Sequence, residues 1–128
     1  IGAAPAWRLW PLCDRAPMQG PHEMAKGRIA LLGDAAHPMR PFLAQGAGMA
    51  IEDAAELAKS WSRKDMPVAD RWQLYAQARW ARNARVQQGA IRNGQIFHLT
   101  GPMRWGRNLA MKLFGETLMD SPWLYAGP

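Results

Sequence analysis

A strand-length apolar run, Ile29 to Leu32, lies between Gly27 and Gly33 and is followed at once by an acid, Asp34. This order constrains the fold more than any other feature of the 128-residue chain. An uninterrupted apolar run bounded by turn residues reads as a short buried strand, of the kind found in parallel sheets. A loop punctuated by Pro38 and Pro41 comes next, then Gly46 and Gly48, then a helix carrying Glu52, Asp53 and Glu56. Amides in the first turn of such a helix have no intrahelical partner, and the helix dipole adds partial positive charge there. Without a Cβ, Gly46 and Gly48 let a ligand come close to the backbone. Like charges repel, so Asp34 is not a phosphate ligand. A carboxylate in this position instead accepts hydrogen bonds from sugar-type hydroxyls, each worth roughly 1.5–3 kcal/mol when charge-assisted. An acid for hydroxyls beside amides for electron-rich oxygens suits a ribityl or ribose phosphate, and leaves many nucleotides open.

The remaining elements follow from periodicity. Trp7 to Leu12 alternates aromatic and polar residues and predicts a strand ended by Pro11 and an Asp14–Arg15 turn. Ala16 to Lys26 has no period and reads as loop. From Gly46 to Ser62, Ala50, Ala54, Leu57 and Trp61 recur at helical spacing and predict the buried stripe. A second helix starts near Pro67 and Asp70 and runs through Trp72, Tyr75, Ala78 and Arg82 toward Val86. Gly89 and Gly94 each disfavour its continuation by about 1 kcal/mol relative to alanine, which predicts a bend or break. Thr100, Gly101 and Pro102 stop it. A last helix, Met103 to Phe114, places Trp105, Leu109, Leu113 and Phe114 on one face, and an irregular tail begins at Asp120.

Composition excludes several classes. A hydrophobic content of 48% allows one domain-sized core. The single cysteine, Cys13, rules out an internal disulfide and suits a reducing, cytoplasmic setting. No apolar run approaches the ~20 residues a membrane helix needs, and no signal peptide is visible. The net charge of +6 is uneven, with eleven Lys or Arg and only Asp65 and Asp70 between Lys59 and Lys112. Basic residues with Trp72, Trp80 and Trp105 interleaved are compatible with a nucleic-acid surface. A solvated helix face that also meets an acidic surface elsewhere is the plainer account, and net charge says nothing of fold.

Other residues invite sharper roles. His37 with Cys13 would be a nucleophilic dyad only if the two were adjacent in space. His22, His37 and His98 lack ligand-like spacing, so no metal site is expected. Glu52 and Asp53 point about 100° apart on a helix and so make a poor acid–base pair; a surface or capping role is the expectation. The eight methionines are read as core gap-fillers.

The segment GDAAHPM, then Pro41, then LAQGAGMAIEDA closely resembles the second FAD-binding motif of the class A flavoprotein monooxygenases, relatives of p-hydroxybenzoate and salicylate hydroxylase. The matching positions include Gly33, Asp34, His37, Pro38, Pro41, Gln45, Gly46, Ala47, Gly48, Glu52 and Asp53. Weaker likeness covers Trp7 to Arg15, Asn93 to Pro102 and the closing SPWLYAG, so most of the chain takes part. The resemblance implies that Asp34 binds the ribityl chain of FAD and that the loop from Pro38 to Gln45 lies beside the flavin ring. It also implies that the helix N-terminus at Gly46 points at the ring's pyrimidine edge, making Gly33, Asp34, Pro41, Gln45, Gly46, Ala47 and Gly48 the cofactor residues. His37 then belongs to the flavin loop. Arg40, Pro41 and Phe42, with Leu43, are implied to wall the substrate cavity. Many relatives have a small or apolar residue where this chain has Arg40, which either pairs with an aromatic carboxylate or, more simply, faces solvent.

The implied chemistry is hydroxylation of a small aromatic compound with FAD, NAD(P)H and O₂, and no catalytic base can be assigned. No GxGxxG occurs, and a whole enzyme of this kind is about three times longer. The chain opens with Ile1 and is read as the C-terminal third of such an enzyme. The expected fold is an α/β fragment, mostly helical, with two or so short strands followed by three C-terminal helices of a GR2-type, Rossmann-like FAD-binding fold. Its parts would be the end of a substrate-domain strand with its connecting loop (1–27), the FAD-binding strand–loop–helix (28–62) and a helical region (63–128). The expected partners are an aromatic substrate, the remainder of the flavoprotein and, because short strands leave unpaired edges, another copy of the chain.

Overall fold

A two-residue turn at Gly27 and Arg28 folds the chain back on itself in the computed structural model, which describes residues 6–119 and 122–125. The turn pairs β1 (Ala25–Lys26) with β2 (Ile29–Ala30) antiparallel, Ala25 opposite Ala30 and Lys26 opposite Ile29. Gly27, at φ 59°, takes the left-handed conformation that a tight hairpin asks of its first turn residue. The ladder continues through the Leu31 amide, which donates to the Met24 carbonyl at 2.8 Å. The hairpin corrects the expected buried parallel strand. Alternate residues of a strand face opposite ways, so Ala25 and Ala30 turn inward while Ile29 is 68% exposed. The segment expected as structureless, Ala16 to Lys26, therefore contains β1, and it also holds a 3-10 turn at Pro21–Glu23.

The strand expected over Trp7 to Leu12 is absent. These residues have no regular structure, and Trp7, Leu9, Trp10 and Leu12 stand largely in solvent, Leu9 at 93%. A strand is a pairing, and among the described residues β1 and β2 pair only with each other.

Three long helices follow, α1 (Gly46–Trp61), α2 (Val68–Phe97) and α3 (Gly101–Met119), with a short α4 (Pro122–Tyr125). Helix α2 is continuous through Gly89 and Gly94, against the expected break, because both glycines face close neighbours described below. Gly101 and Pro102 open α3 rather than only closing α2, consistent with the tolerance of proline in a first turn. The last helix thus exceeds the expected Met103–Phe114, and its Trp105, Leu109, Leu113 and Phe114 are exposed. Part of the tail expected to be irregular forms α4, with Leu124 buried; residues 120, 121 and 126–128 lie outside the described set.

Helix α2 is the spine. It packs against α1, both strands and the first 3-10 turn. One apolar cluster joins Met18, Met24, Ala25 and Ala36 to Tyr75 and Ala76 of α2. A second joins Met49, Val86 and Leu124, with Leu43 and Trp123 against it. The fully buried Met18, Met24 and Met49 fill these cores as an adaptable side chain does.

Candidate functional site

The turn after β2 is a 3-10 segment, Gly33–Ala35, with Gly33 at φ 56°. A Cβ on Gly33 would lie 3.3 Å from that of Ala50, so glycine is required by both conformation and contact with α1. The Ala36 and His37 amides both donate to the Gly33 carbonyl at 2.9 Å and close the turn. Asp34 emerges from it exposed, and its side chain has no hydrogen-bond partner among the described residues.

Across from this turn α1 begins. Gln45 is its N-cap residue and makes no side-chain capping bond. The first intrahelical donor is the Met49 amide, which reaches the Gln45 carbonyl at 2.9 Å, leaving the amides of Gly46, Ala47 and Gly48 without a backbone partner among the described residues. Ala47 is exposed and both glycines are accessible. An unpartnered carboxylate and three unpartnered amides at a helix N-terminus form a donor and acceptor set that fits a polyhydroxylated, electron-rich ligand. The residues present thus suit a flavin nucleotide's ribityl arm and ring edge.

Beneath this surface lies an ionic core that sequence reasoning misplaced. Asp53, expected at the helix surface, is wholly buried. Its Oδ2 accepts from the Gly33 amide at 3.3 Å and from His37 Nε2 at 2.6 Å; its Oδ1 accepts from Arg79 Nε and Asn83 Nδ2, both at 2.9 Å. Burial alone would raise the Asp53 carboxyl; the donors from His37, Asn83 and Arg79 more than offset it, so the group stays ionised below its ordinary 3.8. An ionised carboxylate only accepts, so His37 carries its proton on Nε2. Glu52 takes Arg82 in a bidentate pair at 2.7 and 2.8 Å and also meets Arg79 at 2.7 Å. Arg82 lowers its carboxyl below 4.5, with burial opposing and Arg79 assisting. Tyr75 donates to the Leu31 carbonyl at 3.0 Å; burial, then the Asp53 charge, push its phenol well up, so it remains a donor.

The buried stripe of α1 is accordingly Met49, Asp53 and Ser60, one position off the expected Ala50, Ala54, Leu57 and Trp61. Ala54 and Trp61 are exposed. The hydrophobic pattern misled because the inward face is polar and is matched by Arg79, Arg82 and Asn83 at i, i+3 and i+4 on α2. That polar triplet was the signal available in the sequence. His37 sits in the turn beneath the loop, while Cys13 is exposed and has no part in this network.

Arg40 is exposed, and its Nε donates to the Asp14 carboxylate at 2.7 Å. Pro41, Phe42 and Leu43 line one side of a cavity of about 910 Å³ whose other walls are the C-terminal half of α2, α3 and α4. Among the eleven basic residues of the 59–112 segment, five (Arg71, Arg79, Arg82, Arg85 and Arg107) are engaged with other parts of the fold. Arg71 is buried on the Met66 and Lys64 carbonyls, Arg107 caps α2 through Ile96 and Phe97, and Arg85 stacks on Trp123 at 3.9 Å. Trp72 stacks on Trp61 at 4.9 Å, not on a free surface. No group of acidic, His or Cys side chains that could hold a metal occurs among the described residues. No helix among them is long and apolar enough to cross a membrane.

Comparison with known proteins converges on the same segment. The family described as the FAD binding domain matches residues 18–89. The chain is 38% identical over 124 residues to 3-hydroxybenzoate 6-hydroxylase of Klebsiella oxytoca, an alignment covering 94% of this chain and 30% of that protein. It is 45% identical over 106 residues to 3-hydroxybenzoate 6-hydroxylase 1 of Aquipseudomonas alcaligenes, covering 82% of the chain and 26% of the relative. Similarity to 6-hydroxynicotinate 3-monooxygenase of Bordetella bronchiseptica is 45% over 89 residues, 69% of the chain and 22% of the relative. The chain spans less than a third of the length of each of these relatives.

Proposed function

Because the chain belongs to the FAD binding domain family, within the class A flavoprotein monooxygenases, we propose that it is the C-terminal part of an FAD-dependent aromatic hydroxylase. One observation carries the reading: exposed Asp34 and the unpartnered amides of Gly46 to Gly48 sit on two elements locked together by Asp53. Asp34 accepts hydrogen bonds from ribityl hydroxyls. The α1 amides, with Gln45 at the cap, meet the electron-rich edge of the flavin ring and favour negative charge there. Pro41 and Phe42 wall the substrate space and exclude water from it. Bound FAD supplies the redox and oxygen chemistry, with NAD(P)H as reductant.

The substrate is a small electron-rich aromatic acid, supported by the hydroxybenzoate and hydroxynicotinate names of the relatives. The remaining partners are the rest of the flavoprotein, which completes the Rossmann-like fold, and a second copy. The setting is cytoplasmic. Within this reading the 28–62 segment is the cofactor-binding unit, 1–27 leads into it from a substrate domain, and 63–128 is its helical support.

Purifying the complete parent protein and recording its visible spectrum tests the reading. Flavin absorbance with 3-hydroxybenzoate-dependent NAD(P)H oxidation is the expected result. A colourless parent that retains no flavin nucleotide overturns it.

A further inference from the structure

Glycines inside a helix usually need a reason, since each disfavours it by about 1 kcal/mol relative to alanine. Gly89 and Gly94 of α2 have ordinary helical φ, so conformational freedom is not that reason. Close approach is. A Cβ at Gly94 would lie 2.7 Å from two ring carbons of Phe42, and one at Gly89 would lie 2.9 Å from Leu43 Cδ1. The same stretch of helix grips the backbone of that loop. Asn93 Nδ2 donates to the Phe42 carbonyl at 3.2 Å, and Gln87 Nε2 donates to the Pro38 carbonyl at 2.9 Å. The Phe42 ring is further held edge-on by Phe97 at 6.0 Å and His98 at 5.5 Å.

We propose that Gln87, Gly89, Asn93 and Gly94 are positioning residues, a notched rail that sets where the loop from Pro38 to Gln45 stands relative to the cofactor. The role rests on the flavin reading above. The loop runs directly into the N-cap of α1, with Ala44 strained at φ 53°, so it has little slack between Phe42 and Gly46. Lifting Phe42 off Gly94 therefore moves Gln45 and the α1 amides. None of the four residues needs to touch substrate or flavin to act in this way.

The test uses the complete flavoprotein. Gly94→Ala is expected to retain FAD, to displace its visible absorption band and to lower kcat with 3-hydroxybenzoate by on the order of tenfold to a hundredfold, with KM changed less. Gly94→Ala/Phe42→Ala, which removes the collision, should recover part of the wild-type band. Gly115→Ala is the control, an identical change in α3 where nothing among the described residues lies within 4 Å of an added Cβ, and should leave the spectrum as it was. Should Gly94→Ala fail to fold, Asn93→Ala, which releases the loop carbonyl, must shift the band. A flavin-bearing Gly94→Ala or Asn93→Ala protein indistinguishable from wild type overturns the rail alone, as does a double variant no closer to wild type than the single. A colourless wild-type parent overturns the proposed function and the rail with it.

Discussion

Asp34 and Asp53 are the same side chain in opposite surroundings. Asp34 is exposed and uncapped, so nothing in the fold depends on its charge. Asp53 is buried and receives four donors, so much depends on its charge. Replacing Asp34 by alanine should weaken FAD binding by about 10- to 150-fold, the worth of one charge-assisted hydrogen bond, while leaving urea stability within about 0.5 kcal/mol. Equal FAD titration curves for the two proteins would remove the ribityl assignment. Asp53→Ala should lower unfolding free energy by about 3–5 kcal/mol, because it strands Arg79 and His37 without their acceptor. Chemical denaturation read by tryptophan fluorescence measures it.

Asp53 and its neighbour Glu52 set the acid limit. Asp53 and Glu52 lie below their ordinary 3.8 and 4.5 when folded, so their stabilising contribution is whole above those values. It drains away as pH falls below them, while the folded forms take up protons. Denaturation midpoints should thus be flat from pH 7 to about 5 and fall steeply beneath, and Asp53→Ala should flatten that fall.

Between elements, one arginine ties three helices. Arg82 of α2 holds Glu52 of α1 and donates to the carbonyls of Trp123 at 3.1 Å and Leu124 at 3.0 Å in α4. Arg82→Ala should release the C-terminal turn more than it loosens α1, since Arg79 still reaches Glu52. Limited proteolysis ought then to cut near α4 well before α2, and a digestion pattern unchanged from wild type would contradict the tie. The same interlocking explains why α2 passes through two glycines without breaking. Gly89 and Gly94 have Leu43 and Phe42 set against them, so packing recovers what helix propensity loses.

For the molecule as a whole, exposed large apolar side chains occur along the chain, and two groups stand out. Trp7, Leu9, Trp10 and Leu12 precede the hairpin, and Trp105, Leu109, Leu113 and Phe114 lie along α3. Exposed large apolar side chains grouped in this way mark a candidate interface. Prepared by itself, the 128-residue chain should sediment as concentration-dependent oligomers; a monodisperse monomer across a hundredfold dilution would refute this. DNA retention should be weak and no tighter than for any protein of charge +6, because Arg71, Arg79 and Arg82 are engaged within the fold.

Local chemistry alone determined a good part of this protein. Glycine spacing and the lone acid after Gly33 placed the turn and the start of α1, because each depends on neighbours close in the chain. The family resemblance was legible for the same reason, its motif being contiguous. The burial of Asp53, the pairing of Arg40 with Asp14, the antiparallel hairpin and the unbroken α2 were decided only in three dimensions. Each rests on contacts between distant segments: a charge is cheap to bury only where its partners converge, and a helical glycine is harmless only where another side chain takes the space of its missing Cβ.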